Sequence, residues 1–105
     1  MSRTPEIDIE RFAVARPSGT VVDVRERHEY AAGHVDGALL IPMGQLTTRM
    51  NELDRARPVY VICATGNRSL AMTDLLRVAG FNAWSVTGGT TAWAYSGRPV
   101  EGGLK

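Results

Sequence analysis

The sequence predicts an α/β fold: a single domain built on a mostly parallel, five-stranded sheet with helices on both faces. Three observations carry this. Short apolar runs, chiefly β-branched, such as Thr20-Val21-Val22 and Val59-Tyr60-Val61-Ile62, read as strands buried on both sides. They alternate with stretches whose apolar residues recur at helical spacing, best seen in Ala71, Met72, Leu75, Leu76 and Ala79. A chain of 105 residues, 44% of them hydrophobic, suffices for one modest core. The domain is expected over 1–105, with a compact part of about 7–99 and short flexible ends.

In chain order, Glu6 to Ile9 alternates polar and apolar residues and reads either as a short edge strand or as the lead into a helical stretch. That stretch, Ile9 to Ala15, carries Ile9, Phe12 and Ala13 on one face. Pro17-Ser18-Gly19 is a turn, and Thr20 to Val24 is a buried strand. Arg25 to Ala32 reads as a short helix closed by Gly33, in which Glu29, four residues after Arg25, could form a local ion pair. Ala38 to Ile41 is a third strand, halted by Pro42, and Gly44 to Asp54 reads as a helix with Leu46, Met50 and Leu53 inward. The strand from Val59 to Ile62 precedes a helix opening at Arg68 and ending at Gly80. Phe81 to Val86 gives the fifth strand and Thr87-Gly88-Gly89 a turn. A last helix, Thr90 to Tyr95, is capped by Thr90. The tail from Glu101 to Lys105 is expected to fray.

Composition excludes several classes. Twelve basic against eleven acidic residues give a net charge of +1, without a basic run, so neither nucleic acid nor a membrane surface is supported as a partner. Eleven of the twelve cations are arginine, a bias of the source rather than a functional signal. No apolar run reaches the ~20 residues of a membrane span. The start, Met-Ser-Arg-Thr-Pro-Glu, lacks the apolar stretch of a signal peptide, so a cytoplasmic, reducing setting is expected. A single cysteine excludes an internal disulfide, and His28, His34 and Cys63 lack metal-motif spacing.

The chemistry concentrates between Ile62 and Ser69. Cys63 closes a buried strand; Ala64, Thr65, Gly66 and Asn67 form a tight loop; Arg68 and Ser69 open a helix. A strand, a glycine-containing turn and a helix N-terminus aim several backbone N–H groups at one point, where the macrodipole is also positive. A thiol there ionises more easily, with Arg68 expected to add a cation. A cysteine ending an apolar strand is otherwise just a small buried hydrophobe, but such a residue needs neither Gly66, nor Arg68, nor Ser69. Ligands in parallel sheets bind at the carboxyl ends of the strands. Asp23, Pro42, Cys63 and Gly88 all fall just after strands, so they should share one rim.

Several segments together resemble the rhodanese-like family. Val22-Asp23-Val24-Arg25-Glu26, Glu29-Tyr30, Gly33-His34-Val35, Gly37-Ala38 and Ile41-Pro42 are similar to its first half. Cys63-x-x-Gly66-x-Arg68-Ser69 resembles its active-site loop, and Gly80-Phe81 with Gly88-Gly89-x-x-x-Trp93 its closing motif. The resemblance runs from about Ile7 to Pro99. It implies a single-domain sulfurtransferase that needs no cofactor. Cys63 would take sulfane sulfur from a small donor such as thiosulfate, hold it as a persulfide and pass it to a thiophilic acceptor, cyanide or a thiol. The backbone N–H groups of Ala64, Thr65, Gly66, Asn67, Arg68 and Ser69 would cradle the terminal sulfur, with Arg68 helping to bind an anionic donor. Many active members carry a basic residue where this chain has Ala64, a change that weakens thiosulfate capture.

Two other readings compete. The chain could be a persulfide carrier or partner-binding module with little turnover, serving a sulfur-relay protein. A cysteine phosphatase or arsenate reductase uses a similar cradle, but with five residues between cysteine and arginine where this loop has four. As supporting residues, Asp23 either holds the loop, by accepting from its N–H groups or from an arginine, or closes a structural network. Arg25 is expected to be structural, pairing with Glu29 or Asp23. His34 is expected as a hydrogen-bonded structural histidine, Trp93 as core, and Met43 as pocket lining or filler.

Overall fold

A computed structural model describes residues 3–104. Five strands, β1 (Glu6–Ile7), β2 (Thr20–Asp23), β3 (Leu39–Leu40), β4 (Val59–Ile62) and β5 (Ala83–Val86), form one sheet in the order β1-β5-β4-β2-β3. Every pairing is parallel. The helices are α1 (Ile9–Ala15), α2 (Arg27–Ala32), α3 (Leu46–Arg49), α4 (Asn67–Val78) and α5 (Gly89–Tyr95).

Because successive strand side chains point to opposite faces, β4 feeds two cores. Val59, Val61 and Cys63 pack with Leu46, Leu53, Met72, Leu76 and Phe81. Tyr60 and Ile62 pack with Phe12, Tyr30, Val35, Val86 and Trp93 on the other side. Phe12 anchors that second core with edge-on contacts to Tyr60 and Trp93 at 5.8 and 5.5 Å between ring centroids. A central strand buried on both faces is what the unbroken apolar run of β4 requires.

Several local expectations need correction. The stretch Gly44 to Asp54 is not one helix: a 3-10 turn (Met43–Gln45) and another (Met50–Glu52) flank the single turn of α3. Thr47 and Thr48 are poor helix formers and no side chain caps the start, although Leu46 and Leu53 are still buried. The second helix begins at Arg27, not Arg25, while Gly33 closes it as expected, in extended conformation. The helix after the loop begins at Asn67, one residue before the expected Arg68. The last helix begins at Gly89, with Gly88 in the capping position and Thr90 inside it.

The tail is not frayed throughout. Glu101 and His34 exchange a pair of backbone hydrogen bonds of 2.8 Å, and Gly103 N–H donates to the Ala31 carbonyl at 2.9 Å. Lys105, like Met1 and Ser2, lies outside the described residues. Among the described residues no helix is long and apolar enough to cross a membrane.

Candidate active site

β4 delivers Cys63 to the carboxyl edge of the sheet, where the chain turns sharply through Gly66 at φ +104° and enters α4. The loop folds around the sulfur. Gly66 N–H donates to Sγ at 3.1 Å and Ser69 N–H at 3.3 Å, while Ser69 Oγ lies 3.5 Å away. Cys63 itself is 1% exposed, so these donors and not water solvate the sulfur. Burial pushes the thiol up. The Ser69 hydroxyl and N–H, with the N–H groups of Gly66 and Thr65, more than offset it and hold Cys63 below the ordinary thiol range.

Ser69 is fixed in turn. Its hydroxyl reaches the Gly66 carbonyl at 3.1 Å and shares a 2.8 Å hydrogen bond with Ser85, a fully buried serine on β5. Ser85 belongs to no motif in the sequence; a lone hydroxyl inside the strand Ala83-Trp84-Ser85-Val86 is the signal that a buried polar partner waits opposite.

The outer side of the loop is gripped by the start of α5. Thr90 N–H and Oγ1 both donate to the Cys63 carbonyl, at 2.9 and 3.1 Å, and Thr91 N–H donates to the Ala64 carbonyl at 3.0 Å. Instead of capping its own helix, Thr90 therefore holds the residue that carries the thiol. This approach requires Gly89 at φ +60°, because a Cβ there would sit 2.4 Å from the Cys63 carbonyl oxygen and 2.7 Å from that of Ala64. Of the other loop residues, Thr65 and Asn67 are exposed and Ala64 is half-buried.

The supporting residues take positions that local spacing did not give. Arg25 pairs with Asp23, not with Glu29. Its Nη2 and Nε lie 2.8 and 2.9 Å from the carboxylate oxygens, its backbone N–H donates to Asp23 at 3.1 Å, and Nη2 also donates to the Gly33 carbonyl at 2.8 Å. Both side chains are buried. Asp23 stands beside Ile62 in the β2–β4 register, one residue short of Cys63, but it accepts from Arg25 and not from the loop.

Arg68 differs most from expectation. Its guanidinium makes a two-pronged contact with Glu29 of α2, Nη1 to Oε1 and Nη2 to Oε2, both at 2.8 Å. Arg68 holds the Glu29 carboxyl down to about 2, against the opposing effect of partial burial, with the Glu26 N–H adding to the stabilisation. The same bond raises Arg68 above its usual value, and the nearby Cys63 and Asp23 act in the same direction. Glu29, expected at most as a local partner of Arg25, is thus brought beside the loop as the partner of Arg68.

His34 is structural: it is buried, stacked on Tyr30 at 3.6 Å, with Nδ1 2.8 Å from the Tyr30 carbonyl. Trp93 is core, with its indole N–H on the Pro99 carbonyl at 2.9 Å. Met43 is exposed after the third strand.

The family model described as rhodanese-like domain matches residues 9–96. The chain belongs to the rhodanese-like family. A rhodanese-related protein from Thermoplasma volcanium superposes with a TM-score of 0.88 at 34% identity, covering 92% of this chain and 97% of that one. A structure titled thiosulfate sulfurtransferase, from Pseudomonas aeruginosa, superposes at 0.84 with 28% identity over 97% of this chain but 21% of its own. Among curated proteins, "Putative sulfur carrier protein YrkF" of Bacillus subtilis is 36% identical over 83 residues, 76% of this chain. This rhodanese-like chain spans just under half, 45%, of that relative.

Proposed function

We propose that this domain is a sulfurtransferase in which Cys63 takes sulfane sulfur from a donor, thiosulfate being the simplest, and carries it as a persulfide to a thiophilic acceptor. The observation that supports the reading is the convergence of the Gly66 and Ser69 N–H groups on Sγ in a loop of four residues between Cys63 and Arg68. Two N–H groups closing on one sulfur atom suit a sulfur anion.

The chemistry needs no general base. The Cys63 thiolate attacks the outer sulfur of the donor, a new S–S bond forms, and the old one breaks with its electron pair leaving on the departing group, sulfite in the case of thiosulfate. The terminal sulfur is then stabilised as an anion by the same donors. Since the chain has one cysteine, no second thiol within it can collapse the persulfide to a disulfide.

Loading the protein with donor, desalting it and weighing it intact tests this. The mass should rise by one sulfur atom, persist without acceptor, and fall back when cyanide or a small thiol is added, whereas Cys63→Ser should never gain it. Turnover should follow ping-pong kinetics. A protein that takes up no sulfur from any donor contradicts the reading.

A second role is favoured by the YrkF relative's name and by the engagement of Arg68 with Glu29: the domain then works chiefly as a persulfide carrier within a sulfur relay. Persistent loading with slow release to small acceptors would mark it.

A further inference from the structure

Beyond the thiol, the rim is defined by where its charges are spent. Arg68 is the only cation between Cys63 and Ser69. Its Nη1 and Nη2 are both committed to the Glu29 carboxylate at 2.8 Å, a geometry in which fork and carboxylate match donor for acceptor. Arg25 is likewise committed, to Asp23 and to the Gly33 carbonyl. Ala64 adds no charge to the loop. An oxyanion arriving at the loop therefore meets an arginine whose charge is already paired with a carboxylate.

Glu29 is itself held in place. It lies in the first turn of α2, where Oε1 accepts the Glu26 N–H at 3.0 Å while also receiving Arg68. The pair joins residues 39 positions apart, linking α2 to the start of α4. A dianionic donor approaching the guanidinium would compete with a carboxylate fixed by its own helix, and would meet that carboxylate's repulsion as well. Such a built-in unfavourable charge is how sites reject one class of ligand while admitting another.

We propose that Glu29 determines the donor class of this site: by occupying Arg68 it disfavours oxyanion-terminated donors such as thiosulfate and leaves the loop to sulfane sulfur delivered on a thiol, as a persulfide. The inference rests on the sulfur-transfer reading for its chemistry, and Glu29 acts through Arg68 as a positioning residue. In the favoured step the Cys63 thiolate attacks the terminal sulfur of R–S–SH. The S–S bond of the donor breaks, the electron pair and the proton leave with R–SH, and Cys63 retains the persulfide anion. No oxyanion has to be bound at any point.

The test separates this claim from the sulfur chemistry by using two alkylating agents of nearly equal size. Iodoacetate is an anion and iodoacetamide is neutral, and both react with the thiolate. Their rate ratio at Cys63 therefore reports the local charge and cancels any change in thiol ionisation. Glu29→Gln should raise the iodoacetate-to-iodoacetamide ratio about tenfold at low salt. The gain should shrink with added salt and vanish in the double variant with Arg68→Gln.

In parallel, loading followed by intact mass should be faster for the native protein from the persulfide of 2-mercaptoethanol than from thiosulfate. Glu29→Gln should accelerate only the thiosulfate reaction. An unchanged alkylation ratio in Glu29→Gln, or native loading that is faster from thiosulfate, overturns the proposal. If the ratio rises as expected but neither donor loads the native protein, the screening of Arg68 is upheld; the sulfur-transfer reading fails, and the assigned donor class with it.

Discussion

Replacing Asp23 with alanine is expected to destabilise the domain by about 3–5 kcal/mol, the usual cost of stranding one member of a buried ion pair. Arg25 would remain in the core with its Nε and backbone N–H unpaired, because three of its donors now end on that carboxylate. Against a total stability of about 5–15 kcal/mol, this single change should leave a marginal protein. Asp23→Asn keeps the shape and one acceptor and should cost less. Removing both charges, Asp23→Ala with Arg25→Met, should cost less than Asp23→Ala alone, since the penalty lies in the orphaned guanidinium. Urea denaturation reads all three differences. A loss under about 1 kcal/mol for Asp23→Ala would mean that water reaches Arg25 and the pair is not a buried one.

Gly89→Ala is expected to be comparably damaging, for a different reason. The residue sits at φ +60°, which costs a non-glycine side chain about 1–2 kcal/mol, and the added carbon would meet the Cys63 carbonyl oxygen at 2.4 Å. Both obstacles are backbone, so no rotamer relieves them; either α5 or the Cys63 loop must move. Gly97 provides the control. It has φ +84° and nothing within 4 Å of where a Cβ would stand, so Gly97→Ala should cost only the conformational part. Beyond that difference, Gly89→Ala should slow the reaction of Cys63 with electrophiles, because the carbonyl that Thr90 holds is displaced. Equal denaturation midpoints for the two variants would show that the loop yields freely.

The parts of the molecule legible in the sequence are those written in local patterns. The buried strand Val59–Ile62, the glycine turn and the start of α4 lie within a dozen residues, and their order alone placed the thiol at the carboxyl edge of a parallel sheet. What escaped was set by distance. Glu29 and Arg68 are 39 residues apart, and nothing in either neighbourhood names the other. Arg25 has Glu29 at helical spacing, but the chain at Arg25 is not helical, because its N–H folds back onto Asp23 and α2 starts later. Thr90 carries the residue type of a helix cap; the tertiary demand of the Cys63 carbonyl took its hydroxyl instead. The tail looked unrestrained because its partners, Ala31 and His34, are some seventy residues earlier.

The loop's own N–H groups and the Ser69 hydroxyl hold the Cys63 thiol below its ordinary range, against the effect of burial. The most direct test is the rate of alkylation by iodoacetamide as a function of pH. The structure predicts a midpoint clearly below the ~8.5 of a free thiol, because the donors outweigh burial. Ser69→Ala, which keeps the backbone N–H but removes the hydroxyl, should move that midpoint part of the way back up. A native midpoint at or above ~8.5 would contradict the account, since burial without a cradle produces that result.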